Sequence, residues 1–146
     1  GKAGTERAGQ ARLRHYMVSG DKDLLYRAVY NVLINAVQAV AEFGSGPESR
    51  RVQVTLDRIS HPDFPGKAVE ILVADSGPGF ASEDLDRFLD PFYTTKPLGS
   101  GLGLPIVSSI ITSHGGILEI MNRGGETGPD GKPQSGAVVR ILLPAV

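Results

Sequence analysis

The sequence predicts a two-layer α/β (α+β) sandwich, with a mixed, largely antiparallel sheet of about five strands packed on three helices, all on one side. Three observations carry this. Leu25, Val29, Val32, Ala36 and Val40 recur at helical spacing and give one long helix a wide apolar face. Short apolar runs at Val52 to Ile59, Val69 to Ala74, Ile117 to Met121 and Ala137 to Leu143 are separated by turn chemistry, which favours antiparallel pairing. A shorter apolar helix, Leu104 to Ser113, follows a glycine-rich turn late in the chain.

Residues 1–12 are small and polar and read as the remnant of a linker, leaving one folded domain at 13–146. Leu13 to Val18 is expected as a short strand closed by Ser19-Gly20. Asp21 suits the N-cap of the long helix, which should run to about Phe43 and stop at Gly44-Ser-Gly-Pro47. Val52, Val54 and Leu56 alternate with polar residues, with Ile59 slightly out of step. After the turn His61-Pro-Asp-Phe-Pro-Gly66, Val69 to Ala74 is apolar enough for a central strand, so the two form an antiparallel hairpin. Ser82 caps a short helix to about Leu89, and residues 90–101 form a loop. Pro105 sits in the first turn of the next helix, where a missing N–H costs little, and Gly115-Gly116 ends it. The turn-rich stretch Asn122 to Ser135 joins the last two strands.

The 146 residues suit one domain with one core. Without cysteine, neither a disulfide nor a thiolate metal site is possible. A net charge of −1 with scattered Lys and Arg argues against nucleic-acid binding by phosphate neutralisation. No apolar run is long enough to cross a bilayer and no signal-peptide pattern opens the chain, so a cytoplasmic domain without membrane contact is expected. Because the chain opens on Gly1, it is expected to be one domain of a longer protein.

Four segments carry the chemistry. On the long helix, Asn31, Asn35, Gln38 and Glu42 share one stripe. One amide oxygen completed by phosphate oxygens and water is enough for Mg2+; alone, the stripe reads first as a solvated face. Asp75 closes a strand and should be largely buried at its mouth, where a carboxylate needs donors such as an adenine amino group. Gly77 and Gly79 permit close approach, though Asp-Ser-Gly is also ordinary turn chemistry. Gly99, Gly101 and Gly103, with Ser100, Leu102 and Leu104, precede or open the last helix, whose N-terminus suits a phosphate. A flexible loop explains the same glycines. Upstream, Lys96 is a point charge for β- or γ-phosphate oxygens, Thr94 and Thr95 offer hydroxyls, and Phe92 is expected to pack under a short lid. Each segment is weak alone; together they supply the parts for holding Mg-ATP.

In order, Asn31-Val-Leu-Ile-Asn35-Ala36, Asp75-Ser-Gly77-Pro-Gly79-Phe80, Asp90-Pro-Phe92-Tyr-Thr94-Thr95-Lys96 and Gly99-Ser-Gly101-Leu-Gly103-Leu104 resemble the N, G1, F and G2 boxes of the Bergerat-fold ATPases, the superfamily of gyrase, heat-shock chaperone, histidine kinase and mismatch-repair ATPases. The wording is most similar to the catalytic ATP-binding domain of two-component sensor histidine kinases, in the nitrogen-regulation and PAS-linked branch. His114-Gly-Gly116 and the ending Leu142-Leu143-Pro144 agree, and the resemblance spans about residues 13–144. It implies the Bergerat ATP-binding fold, with ATP and Mg2+ as ligands. Asn35 would ligate Mg2+, Asn31 would support the phosphate end, and Asp75 would read the adenine amino group. Gly77 and Gly79 would shape the pocket, while Thr94, Thr95 and Lys96 would act in the lid. Gly99, Ser100, Gly101, Leu102, Gly103 and Leu104 would wrap the phosphates. The implied partners are the protein's own dimerisation and histidine-phosphotransfer domain and a response-regulator receiver domain, with the isolated fragment monomeric.

Three positions depart from the family pattern. Hydrolytic members place a water-activating Glu one helical turn before the metal Asn; here Asn31 stands there and takes no proton at neutral pH. Many kinases place a basic residue where this chain has Gln38, so phosphate charge compensation rests more on Lys96. The last strand often begins Gly-Thr; here it is Gly136-Ala137, without the hydroxyl. None of His15, His61 and His114 suits the phosphate acceptor, since none combines a dimerising helix with a following acidic residue. The alternatives are a hydrolytic Bergerat-fold ATPase module, disfavoured by Asn31, an anti-sigma-type serine kinase, and a docking module without nucleotide, disfavoured by the intact boxes.

Overall fold

The structure is a computed structural model and describes residues 16–42, 50–87, 103–124 and 135–146. In chain order the elements are helix α1 (Lys22–Glu42), strands β1 (Val52–Ser60) and β2 (Lys67–Asp75), the short helix α2 (Ser82–Arg87), helix α3 (Leu104–Ser113), and strands β3 (Ile117–Asn122) and β4 (Ala137–Pro144). The four strands form one sheet in the order β1-β2-β4-β3, and every neighbouring pair is antiparallel. The two-layer class therefore stands, but the described sheet has four strands rather than five and no parallel pair. The strand expected at 13–18 touches the sheet only at Val18, which bridges Ala145; residues 13–15 lie outside the described residues. One bridge is too short to make a strand.

Asp21 caps α1 as expected. Its Oδ1 accepts from the backbone N–H of Asp23 (3.0 Å) and Leu24 (3.1 Å), two donors the helix itself cannot satisfy. Ala28, Val32 and Ala36 of α1 and Leu104, Val107, Ile110 and Ile111 of α3 meet Val73, Leu118, Val139, Ile141 and Leu143 of the sheet in one core cluster. Among the described residues α1 alone is long and apolar enough to pass for a membrane span, although charged and polar residues interrupt its apolar run. Here its buried stripe is committed to the sheet, as in the core helix of a two-layer fold.

The period-two pattern places Val54 and Leu56 on the helix-bearing face, and the register agrees: Val54 lies opposite Val73, and Leu56 opposite Ile71. Burial does not follow, since Val54 and Leu56 remain 53% and 46% exposed. β1 is the sheet edge, and α1 lies mainly over β2 and against α3. On the opposite face Arg140 of β4 donates from Nε to Glu70 of β2 (2.7 Å) and from Nη1 to Glu119 of β3 (3.3 Å), tying three strands together. Burial works against the guanidinium charge, but the two carboxylates outweigh it and hold its pKa above the ordinary value.

Where α1 begins, its start is fastened to the end of α3. His114, the C-cap of α3, accepts the N–H of Asp21 at Nε2 (3.0 Å), while its Nδ1 faces the carbonyl of Ile110 (2.8 Å). The Asp21 N–H makes Nε2 the acceptor of this pairing, which leaves Nδ1 to face the Ile110 carbonyl. A side chain at Gly20 would collide with the His114 ring, so the two helix ends meet through a glycine.

Candidate functional site

The site is built where β2 stops and β4 begins. Asp75, the last residue of β2, is 5% exposed, as its place at the strand mouth predicts. Its Oδ1 accepts from the backbone N–H of Gly77 (2.8 Å) and of Ala137 (3.2 Å). Its Oδ2 receives no hydrogen bond among the described residues. A nearly buried carboxylate with one oxygen to spare suits a ligand that brings a donor.

Gly77 is buried, and a Cβ there would stand 3.0 Å from the Ala39 Cβ, so α1 rests directly on the turn that leaves Asp75. Gly79 adopts φ +81°, a conformation that disfavours side chains, and a Cβ there would stand 2.8 Å from Asn122 Oδ1. The tightest approach is one that sequence reasoning missed. Gly136 has φ +136°, and any side chain on it would strike the carbonyl oxygen of Asp75. Read beside Ala137, Gly136 signals only an absent hydroxyl; its own glycine character is the more informative signal. Ala137, the second donor to Asp75, acts through its main chain, which leaves no trace in residue type.

Asn35 is half-buried and lies one turn before Ala39 on α1, with no side-chain hydrogen bond among the described residues. Asn35 thus shares a helical stripe with Ala39, the residue that rests on the Gly77 turn. Asn31, a further turn back, donates from Nδ2 to the carbonyl of Arg27 in its own helix (2.7 Å). Gln38 and Glu42 are exposed. Gly103 is the N-cap of α3, at φ −74° and ψ 166°; no side chain caps this helix, and its first turn holds no acidic residue. Pro105 carries no N–H, and the Ile106 and Val107 N–H groups reach the Gly103 carbonyl (3.0 and 3.2 Å), so among the described residues the Gly103 and Leu104 N–H groups are what this terminus can offer an anion. The side chain of Leu104 is in the core, so only its main chain is available to a ligand. Phe92, Thr94, Thr95, Lys96, Gly99, Ser100, Gly101 and Leu102 lie outside the described residues.

No cluster of three or more His, Cys, Asp or Glu that could hold a metal occurs among the described residues. A divalent ion here would rest on one amide oxygen, phosphate oxygens and water, a donor set that fits Mg2+. Of the histidines, His61 packs edge-on against Phe64 and accepts the N–H of Asp63 at Nδ1 (3.1 Å). His114 is engaged with Asp21, and His15 lies outside the described residues.

Comparison with known proteins agrees with this fold. Residues 20–146 match the family described as Histidine kinase-, DNA gyrase B-, and HSP90-like ATPase. The chain is 34% identical over 109 residues to Sensor histidine kinase ZraS of Escherichia coli (strain K12), covering 75% of this chain and 21% of that protein. It is 35% identical over 138 residues to Sensory histidine kinase/phosphatase NtrB of Rhizobium leguminosarum bv. phaseoli, covering 88% and 32%. It is 38% identical over 133 residues to Signal transduction histidine-protein kinase/phosphatase MprB of Mycolicibacterium smegmatis, covering 88% and 24%. The chain therefore spans between 21% and 32% of the length of these relatives. Among solved structures, mycobacterial sensor histidine kinase MprB matches with a TM-score of 0.63 at 35% identity, over 87% of this chain and 74% of that one. The catalytic domain of histidine kinase ThkA matches with a TM-score of 0.63 at 27% identity, over 88% and 70%. Four ordered motifs, an antiparallel sheet under two core helices and a buried strand-end carboxylate thus converge with these matches: the chain belongs to the histidine kinase-, DNA gyrase B- and HSP90-like ATPase family and is a catalytic ATPase domain of the sensor histidine kinase kind.

Proposed function

We propose that this domain binds Mg-ATP and presents the γ-phosphate to a histidine on a dimerisation and histidine-phosphotransfer domain of its own protein, from which the phosphoryl group passes to an aspartate of a response-regulator receiver domain. The observation that carries this reading is Asp75, buried, with Oδ1 tied to two main-chain donors and Oδ2 without one among the described residues. An adenine amino group meets that need, and such a charged hydrogen bond contributes about 1.5–3 kcal/mol. Gly77 and Gly79 let the main chain lie beside the base. Asn35 would hold Mg2+ through its amide oxygen, with Asn31 behind it at the phosphate end. Gly103 and the uncapped start of α3 favour an anion. Gly99, Ser100, Gly101, Leu102 and Leu104 would complete that cradle, and Thr94, Thr95 and Lys96 would reach the γ-phosphate from the lid. Mg2+, when bound, offsets phosphate charge. The acceptor nitrogen attacks phosphorus in line, the bond to the bridging oxygen breaks, and ADP leaves. Asn31 cannot take a proton from water, and its amide is engaged with Arg27, which favours transfer to a partner over hydrolysis. The isolated domain is expected to be monomeric and cytoplasmic, without contact with membrane or nucleic acid.

Calorimetry on the isolated chain tests the reading. ATP should bind, more tightly with Mg2+ present, and Asp75→Asn should lower affinity by about tenfold or more, a step of about 1.4 kcal/mol. Label in the γ position should then move to the separately prepared histidine domain of the same protein. Absence of nucleotide binding would leave a docking module. Sustained phosphate release by the chain alone would point to the hydrolytic alternative, and label on a partner serine to the anti-sigma-type kinase.

A further inference from the structure

The chain that leaves Asp75 passes the start of β4, where a Cβ on Gly79 would stand 3.1 Å from the Gly136 carbonyl oxygen, and reaches the end of β3. There it meets Asn122, the last residue of β3. Asn122 lies two and four residues beyond Ile120 and Leu118, on the helix-bearing side of the sheet. Its amide closes on a single residue. Oδ1 accepts the N–H of Phe80 (2.6 Å), and Nδ2 donates to the carbonyl of Phe80 (2.8 Å). The two bonds together fix the amide orientation, because the swapped amide would set donor against donor. The Phe80 ring packs on the core cluster, so this residue is held by its side chain and by both of its main-chain groups.

Gly79 lies between that clamp and the turn in which Gly77 bonds Asp75. Its position relative to the Asp75 carboxylate is therefore set from two sides, by Gly77 and by a side chain from the far edge strand. Asn122 is exposed, it ends a strand, and two hydrogen bonds to one residue well separated in sequence are more than ordinary turn chemistry supplies.

We infer that Asn122 is a positioning residue of the base pocket: its amide holds the Gly79–Phe80 main chain at the spacing from Asp75 that admits adenine, so it contributes to nucleotide affinity and base selection without touching the ligand. This rests on the reading that Asp75 receives an adenine amino group.

The test is calorimetric binding of Mg-ATP and Mg-GTP to the unaltered chain, Asp75→Asn, Asn122→Ala and Asn122→Asp. Asn122→Ala should weaken ATP by about tenfold and GTP by less than about threefold, shrinking the preference for adenine. Asn122→Asp keeps the acceptor for the Phe80 N–H but loses the donor, and should fall between the two. Unchanged ATP affinity in both variants overturns the inference, as does an equal loss for ATP and GTP, which is what a merely structural role produces. Should Asn122→Ala fail to fold, Asn122→Asp decides by the same criterion, together with hydrogen exchange at the Phe80 N–H of the unaltered chain, where rapid exchange overturns the clamp. If the unaltered chain binds no nucleotide, the nucleotide reading fails and this inference with it. If the unaltered chain binds, Asp75→Asn weakens ATP and both Asn122 variants behave normally, this inference alone is lost.

Discussion

Where α1 begins, polar groups are matched: the Asp21 carboxylate caps its helix, His114 uses both ring nitrogens, and the N–H of Val146 reaches the carbonyl of Met17 (2.9 Å). Where α1 ends, they are not. Among the described residues, Asp75 keeps one oxygen without a donor, the Asn35 amide has no partner, and α3 starts without a capping side chain. The packing device is nevertheless the same at both ends. A Cβ on Gly116 would strike the carbonyl of Leu142, and one on Gly136 would strike the carbonyl of Asp75. Close backbone contact gives rigidity in each place. What differs is whether hydrogen-bonding capacity is consumed within the fold or left over, and that difference separates a closed end from the end proposed to bind nucleotide.

The comparison is most strongly challenged at the two glycines. Gly136→Ala and Gly116→Ala should each destabilise the fold by about 3 kcal/mol, read from denaturant unfolding, because neither carbonyl can move aside freely. Only Gly136→Ala should also remove ATP binding where the fold survives, since it displaces Asp75; equal retention of binding in both variants would erase the distinction between the ends. Next in size, Asn35→Ala should lower Mg-ATP affinity by about a hundredfold, two steps of about 1.4 kcal/mol. Its unfolding free energy should change by no more than about 0.5 kcal/mol, because the lost amide has no described partner. Chelating Mg2+ should abolish the difference between this variant and the unaltered chain; a difference that persists would remove Asn35 from the metal. The smallest effect belongs to the closed end. His114→Ala should cost about 1 kcal/mol of stability through the lost bond to Asp21, with ATP affinity changed by less than about twofold. A large loss of affinity there would show that the latch and the site are coupled.

Much of this was legible in the chain. The helical period of Leu25, Val29, Val32, Ala36 and Val40 identifies α1, and Asp21 its start, because a repeating apolar face and a capping oxygen are local properties. The strand-end position of Asp75 was enough to predict its burial. Burial of Val54 and Leu56 was not legible, since alternation assigns a face but not what covers it. Nor was the lack of a strand at 16–18, where Val18 alone pairs, with Ala145, among the described residues. Asn122 and Gly136 were harder still. One read as turn chemistry and the other as the lead-in to a strand, and their roles exist only once β3, β4 and the turn after Asp75 lie side by side.

By itself the sequence determined the two-layer class and the order of elements from α1 onward, because periodicity, caps and ordered motifs act over short stretches of chain. The tertiary structure alone decided which oxygen of Asp75 is left without a donor, which glycines stand against carbonyls, and which distant amide grips Phe80. Those are questions of satisfied and unsatisfied hydrogen bonds between segments far apart in sequence, and no local pattern encodes them.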